Sequence, residues 1–275
     1  MNTDAAAGGV AIARVAPAAL ILAGSRGGRD PVAEAEGAAH KALVLLDGQP
    51  LLACVVTALR AAGIERIAVA ADHPEVIQLA HALGAEIVAP GAGPSQSVAL
   101  ALAALGTPLV VTTADHALLR GAWVMEFLAD APAGSDVALM LARRDRVEAA
   151  VPGTRRTWLR FADGEWSGCN LFYLVTPDAL RAIELWQIVE ADRKRPWRIA
   201  ARLGWSTLWA YLRGRLGAGE TVARLGSRIG LQAALVPARN GLAAVDVDTP
   251  DDLALVRFLV RTAGDIERPT SRKPF

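Results

Sequence analysis

Along the first half of the chain, short apolar runs alternate with stretches whose apolar positions return every three or four residues. Residues 18–23, AALILA, form a continuous apolar run ended by Gly24, the pattern of a strand covered on both faces. A helix is predicted over 50–62 with Gly63 at its end, a strand over 66–71, and a helix over 74–83 that stops at Gly84. A strand at 86–89, a helix over 95–105, a strand at 108–113, a helix near 122–129 and a strand at 137–141 continue the alternation. Strand and helix in turn, joined by short loops, predict an α/β fold: a mainly parallel, mixed sheet with helices on both faces. Ligands of such sheets bind beyond the carboxyl ends of the strands, where Gly24 and the segment 113–116 both emerge.

The second half is less regular. Asp163-Gly164 between β-like flanks predicts a hairpin, 169–175 (CNLFYLV) a strand, and Pro177 the start of a helix. Residues 183–230 read as a wholly helical insert. Strands are expected at 232–237 (QAALVP) and 243–247 (AAVDV), with a last helix over 250–262. Residues 1–16 read as a loose tail, 17–263 as one domain carrying the insert, and 264–275 as a second tail.

Composition narrows the classes. At 275 residues and 53% hydrophobic, the chain has enough apolar content for one sizeable core. A net charge of +1 predicts neither a nucleic-acid binder nor a trap for acidic substrates. Two distant cysteines, Cys54 and Cys169, give no disulfide framework and no zinc spacing, as suits a reducing cytoplasm. No apolar run reaches the roughly 20 residues of a membrane span. A soluble, cytoplasmic protein is expected.

Three stretches carry candidate chemistry. After the first strand, LAGSRGGR and then HKAL place small residues, Arg26, Arg29 and Lys41 in order. Leu22, Ala23 and Gly24 would let backbone N–H groups approach phosphate oxygens, while the arginines and lysine neutralise charge. Neither the Walker nor the dinucleotide glycine pattern is present. In VVTTADH, Asp115 follows closely on a buried strand, where a carboxylate needs a cation or a donor. In AAVDVDTPDD, Asp246 and Asp248 stand two apart on an expected strand and so point the same way. Thr249-Pro250 then opens a helix, with Asp251 and Asp252 favourably placed in its first turn.

The order LAGSRGGR, HKAL, DGQPLL resembles the nucleotidyltransferase superfamily of sugar-nucleotide pyrophosphorylases and molybdenum-cofactor guanylyl- and cytidylyltransferases. The resemblance covers 18–141, 168–175 and 245–255. It implies a Rossmann-like fold of the glycosyltransferase-A type and transfer of a nucleotide from an NTP, CTP or GTP favoured, to a phosphorylated acceptor. It also implies Mg²⁺ held by Asp115 and Asp248, with Arg26, Lys41 and Asp115 as catalytic groups. Ser95 and Ser97, in GPSQSVALALAAL, match the segment that touches the base, and either can equally cap a helix. Gly168 and Asn170, in SGCNLFYL, match the acceptor pocket. Two departures stand out: the arginine-to-Lys41 gap is long, and His40 replaces the usual proline or aspartate.

Two other readings share these features. One is a glycosyltransferase of the same fold using an NDP-sugar; the other is a nucleotide-binding module without turnover, docked at a membrane or partner. From Arg181 to Gly230 the chain holds ten Lys/Arg against four acids, and four of its seven tryptophans. On a helix from Pro196, Trp197, Ala201, Trp205, Leu208, Leu212 and Leu216 share one side, with Arg198, Arg202 and Arg213 flanking it. Such a face suits packing on the sheet, homodimerisation, or peripheral contact with an anionic inner-membrane surface. No nucleic acid is expected as a partner.

Overall fold

The computed structural model describes residues 16–24, 30–154, 156–191, 213 and 215–267. Its centre is strand β1 (Ala18–Leu22), in which every residue but the last is buried. Alternate side chains serve opposite faces: Ala19 and Ile21 enter one apolar cluster, Ala18 and Leu20 another. That two-sided burial is why the run is continuously apolar instead of alternating.

Chain order from β1 runs through the short helix α1 (Pro31–Ala35), the small hairpin β2 (Leu45–Leu46) and β3 (Gln49–Pro50), and α2 (Leu51–Ala61). Next come β4 (Ile67–Ala70), α3 (Pro74–Ala82), β5 (Glu86–Val88), α4 (Pro94–Leu105), β6 (Leu109–Thr113), α5 (Gly121–Asp130) and β7 (Val137–Arg143). α6 (Arg144–Ala150), β8 (Leu159–Phe161), β9 (Gly164–Leu174), α7 (Leu180–Ala191), α8 (Ala218–Arg228), β10 (Ala233–Pro237) and α9 (Pro250–Glu267) complete the described elements.

Among the described residues the main sheet has eight strands, in the order β10-β7-β9-β6-β1-β4-β5, with β8 beside β9. β1 pairs in parallel with both β4 and β6, and β10 with β7; β9 runs antiparallel to both of its neighbours on that path. α2, α3 and α5 cover one face through residues such as Leu52, Val76 and Phe127, while α4 and α7 cover the other through Val98, Leu102 and Ile183. The fold is therefore the expected α/β one, a mostly parallel mixed sheet between two helical layers. Succession moves outward from β1 to β4 and β5, then returns to the other side of β1 at β6. That reversal, beyond the carboxyl ends of β1 and β6, is where sheets of this kind place their ligands.

Most predicted elements stand within a residue or two of their places, the 163–164 hairpin among them, where Phe161 pairs with Gly164. Two short helices, α1 and α6, went unpredicted; five and seven residues are too few to display a helical period. The expected strand at 243–247 is corrected. Residues 241–244 form a single 3₁₀ turn capped by Asn240, whose side-chain oxygen accepts from Leu242 N at 2.9 Å. The next residues pair singly, Val245 N with Leu242 O and Val247 N with Asp115 O, so no ladder forms. Residues 192–212 and 214 of the basic stretch, with Trp197, Trp205 and Trp209, lie outside the described residues.

The 3₁₀ turn is pressed against α6. A Cβ on Gly241 would lie 2.1 Å from Arg146 O and 2.7 Å from Val147 Cα, so no side chain fits there. Gly241→Ala is expected to lose about 1–3 kcal/mol of stability by overpacking, read as a lower midpoint in urea unfolding. An unchanged midpoint would show that the turn shifts freely.

Candidate active site

β1 and β6 bring two loops out side by side, with Leu22 level with Thr113. Ala114 N donates to Leu22 O at 3.0 Å and Ala23 N to Ala70 O at 2.9 Å, so backbone bonds hold both exits in register. Asp115 is the second residue past β6. It is only 15% exposed, and its Oδ1 is buried without a hydrogen-bond partner. Beyond it, His116 is fully buried; burial pushes its imidazole down to about 4, so it is a neutral packing group at pH 7.

Lys41 arrives from a different segment. Asp30 caps α1, its Oδ1 accepting from Val32 N and Ala33 N at 3.0 Å each, with Pro31 at the first helical position. His40 then caps the 3₁₀ turn Lys41–Leu43, its Nδ1 accepting from Ala42 N at 3.0 Å. This gives the unexpected histidine a role, since capping a turn is what an aspartate would do there. Lys41 Nζ donates to Asp115 Oδ2 at 2.5 Å and to Asp248 Oδ1 at 3.2 Å, with Asp30 Oδ2 at 4.0 Å. Burial alone would lower its pKa, but the Asp115 and Asp248 carboxylates outweigh it and hold the amine above its ordinary value. The ammonium persists across physiological pH.

Asp248 owes its place to the start of α9. Thr249 and Asp252 form a reciprocal cap: Thr249 N donates to Asp252 Oδ2 at 2.8 Å and Asp252 N to Thr249 Oγ1 at 3.2 Å. Asp252 thus does more than complement the helix dipole. Asp246 and Asp248 do not point the same way, because their segment is not a strand. While Asp248 turns to Lys41, Asp246 is ion-paired with Arg156 and accepts from Asn170 Nδ2 at 2.8 Å. Burial pushes Asp246 above the usual carboxylate range, opposed by the adjacent guanidinium.

Asn170 reaches Asp246 because β9 bulges. Leu139 pairs with Phe172 and Leu141 with Gly168, so Cys169, Asn170 and Leu171 stand opposite Met140 alone. Asn170 takes φ 47°, a left-handed conformation that asparagine tolerates better than most residues. A Cβ on Gly168 would meet nothing within 4 Å, so that position of β9 faces open space. Arg156, absent from the sequence reading, completes this cluster at 12% exposure against 19% for Asp246. Asp246→Asn would leave that guanidinium without its counter-charge. A loss of about 2–3 kcal/mol is expected in denaturant unfolding, below that for a fully buried pair. Loss under 0.5 kcal/mol would contradict the clamp.

Past the end of β1, Gly24 packs against Pro90, where an added Cβ would stand 3.4 Å from Pro90 Cβ. Both serines of the α4 first turn are buried and engaged. Ser97 Oγ donates to Gly93 O and accepts from Gly91 N, both at 2.9 Å; Ser95 Oγ donates to Glu190 Oε2 at 2.5 Å. The geometry thus gathers Lys41, Asp115 and Asp248 in one contact cluster, with Asn170 in the neighbouring one. Leu22, Ala23 and Gly24 stand on the adjoining strand end, and Ser95 and Ser97 behind the facing loop. Arg26 and Arg29 lie outside the described residues. Arg156 and Glu190 carried no usable signal: each matters through a partner about 90 residues away.

The donor set fits a hard divalent cation. Asp115 and Asp248 are carboxylates from separate segments, and Asp115 Oδ1 has no partner. Among the described residues, no cluster of three or more His, Cys, Asp or Glu forms a protein-only cage. Two carboxylates suit an ion that shares its remaining sites with phosphate and water.

Comparison with known proteins bears on these features. The model of the MobA-like NTP transferase domain matches residues 19–202. A hypothetical transferase from Thermus thermophilus is 30% identical, with a TM-score of 0.75 over 87% of this chain and 100% of that one. A nucleotidyl transferase from Methanothermobacter thermautotrophicus is 19% identical, with a TM-score of 0.53 over 89% of this chain and 98% of that one, a likeness of fold alone. No curated protein matches the chain.

Proposed function

The chain belongs to the MobA-like NTP transferase domain family and is a nucleotidyltransferase, and from that premise we propose that it moves a nucleoside monophosphate from CTP or GTP to a phosphorylated small-molecule acceptor. One observation carries the reading: Lys41 Nζ bonds carboxylates from two separate segments beside the unpartnered Asp115 Oδ1. This is a compact array of one cation and two anions at the strand ends where a triphosphate would lie.

In the reaction, an acceptor phosphate oxygen forms a bond to the α-phosphorus as the bond to pyrophosphate breaks in line. Asp115 and Asp248 would hold Mg²⁺, which when bound neutralises charge on the triphosphate. Lys41 serves the β- and γ-phosphates as a point charge, together with Arg26, Arg29 and the backbone at Leu22, Ala23 and Gly24. Gly168 and Asn170 face the acceptor. Ser95 and Ser97 shape the loop beneath the base. Catalysis is then mostly positioning and charge neutralisation. The basic stretch after α7 would tune the choice of acceptor or the location of the protein, through peripheral membrane contact or a second copy. Among the described residues, no helix is long and apolar enough to cross a membrane.

The test is pyrophosphate release, read by a coupled inorganic pyrophosphatase, with each NTP against sugar phosphates, alcohol phosphates and a pterin cofactor. Release with one pairing supports the proposal. Hydrolysis of an NDP-sugar without any such release would replace it with a glycosyltransferase.

A further inference from the structure

We propose that the acceptor is the phosphate ester of an apolar alcohol, an alkyl or isoprenyl phosphate, and that its chain lies in a hollow between α7 and α8; this rests on the nucleotidyltransferase reading and names its acceptor. The hollow follows from how the second helical layer packs. α7 lies along α4, where Ile183 joins Val98 and Leu102 in one apolar cluster. α8 is drawn to the sheet edge instead: an added Cβ on Gly226 would stand 2.5 Å from Ala233 Cβ, so α8 lies directly on β10. The two helices therefore stand apart over β7 and β9.

The space between them is a cavity of about 230 Å³. Leu139 and Phe172 of the sheet, Trp186 of α7, Val222 and Leu225 of α8 and Ile229 after it all face it. Among the described residues no charged group, hydroxyl, amide or imidazole lines it. The Phe172 and Trp186 rings form part of its wall, 5.7 Å apart and tilted by 31°. Protein interiors hold few voids larger than a water molecule, and a dry apolar cavity of about 150 Å³ already binds benzene. A helix, about 10–12 Å across with its side chains, is too thick for such a space. A single hydrocarbon chain is not.

The hollow is tied to the site by the sheet. Phe172 pairs with Leu139 and Gly168 with Leu141, and residues paired across antiparallel strands share a face, as do Leu139 and Leu141 two apart on β7. Gly168 thus opens on the face that holds the hollow. It does so one pair nearer the carboxyl end of β7, which runs parallel to β6 because β9 is antiparallel to both. Asp115 stands past that same end of β6. A chain seated on Leu139 and Phe172 would pass over the bare Gly168 position, and its phosphate would emerge toward the metal site. Charge favours the same orientation. The chain joining α7 to α8, residues 192–217, carries seven Lys/Arg against one acid, which suits an anionic head on an apolar tail. In the step itself, an oxygen of the alkyl phosphate bonds to the α-phosphorus as the bond to pyrophosphate breaks.

The experiment is calorimetric titration of the full chain with ethyl, butyl, hexyl and octyl phosphate, each below its micelle concentration, and separately with the four standard NTPs in Mg²⁺. Each added CH₂ is expected to tighten binding about threefold to fourfold until the hollow is filled, so octyl phosphate should bind at least about a hundredfold more tightly than ethyl phosphate. That series needs no variant. Val222→Trp, which places a larger side chain in the hollow from a half-buried position, should flatten the series and leave NTP binding unchanged. Pyrophosphate release from the NTP that binds should rise in the same order of acceptors. An NTP that binds beside a flat alkyl series, or a series unaltered in folded Val222→Trp, would overturn the acceptor assignment alone. Binding of no NTP, whatever the alkyl phosphates do, would overturn the nucleotidyltransferase reading and the acceptor with it.

Discussion

Replacing Lys41 with alanine is expected to weaken NTP binding about tenfold to a hundredfold and, in the same protein, to strengthen the binding of Mn²⁺ alone. The first effect follows from removing a charge-assisted contact worth roughly 1.5–3 kcal/mol. The second follows from the company Lys41 keeps. Its ammonium lies 2.5 Å from Asp115, 3.2 Å from Asp248 and 4.0 Å from Asp30, one positive charge among three carboxylates. Without it, Asp115 keeps most of its burial and loses its counter-charge, and a divalent cation becomes the best remaining partner. Nucleotide titration and Mn²⁺ electron-paramagnetic resonance read the two halves separately. A lysine that served only as a structural ion pair would leave NTP affinity intact once the variant was shown to be folded.

The second large effect is expected at Asp115. Asp115→Asn preserves shape and can still accept from Lys41, so the fold should hold, but it removes a charge at the least exposed carboxylate of the array. Turnover should fall by about 10²–10³, the scale of losing one preorganised electrostatic contact, and the dependence of NTP binding on Mg²⁺ should largely vanish. Asp248→Asn should be milder, because its side chain is 66% exposed against 15% for Asp115 and water screens it. Equal effects at the two positions, or a residual metal dependence in Asp115→Asn like that of the unsubstituted protein, would contradict the assignment.

These residues were legible to different degrees, for identifiable reasons. β1 and β6 announce themselves because strands buried on both faces must be continuously apolar, and Asp115 stands out as a charge just past such a run. Asp248 was found through its place before Thr249-Pro250, a helix start with its own chemistry. The neighbouring error is instructive. Val245 and Val247 are both buried against α9, so 243–247 shows the alternation of a strand, yet its N–H groups pair one at a time with Leu242 and Asp115. Alternation reports which side chains are buried; it does not report a ladder. The error carried through to Asp246, read as parallel to Asp248 and found instead to clamp Arg156 and Asn170. Arg156 sits in an aperiodic stretch and Glu190 on a helix whose pattern shows only its apolar side. Only the packing of α7 on α4, and of the 245–248 segment on β9, gives either residue its role.

The account turns on a triphosphate site that needs both Lys41 and the two aspartates. Its most direct test is titration of the full chain with the four standard NTPs and with NDP-sugars, each with and without Mg²⁺. The account predicts that one NTP binds, tightly only when Mg²⁺ is present. Binding of an NDP-sugar, with no NTP bound under either condition, would contradict it.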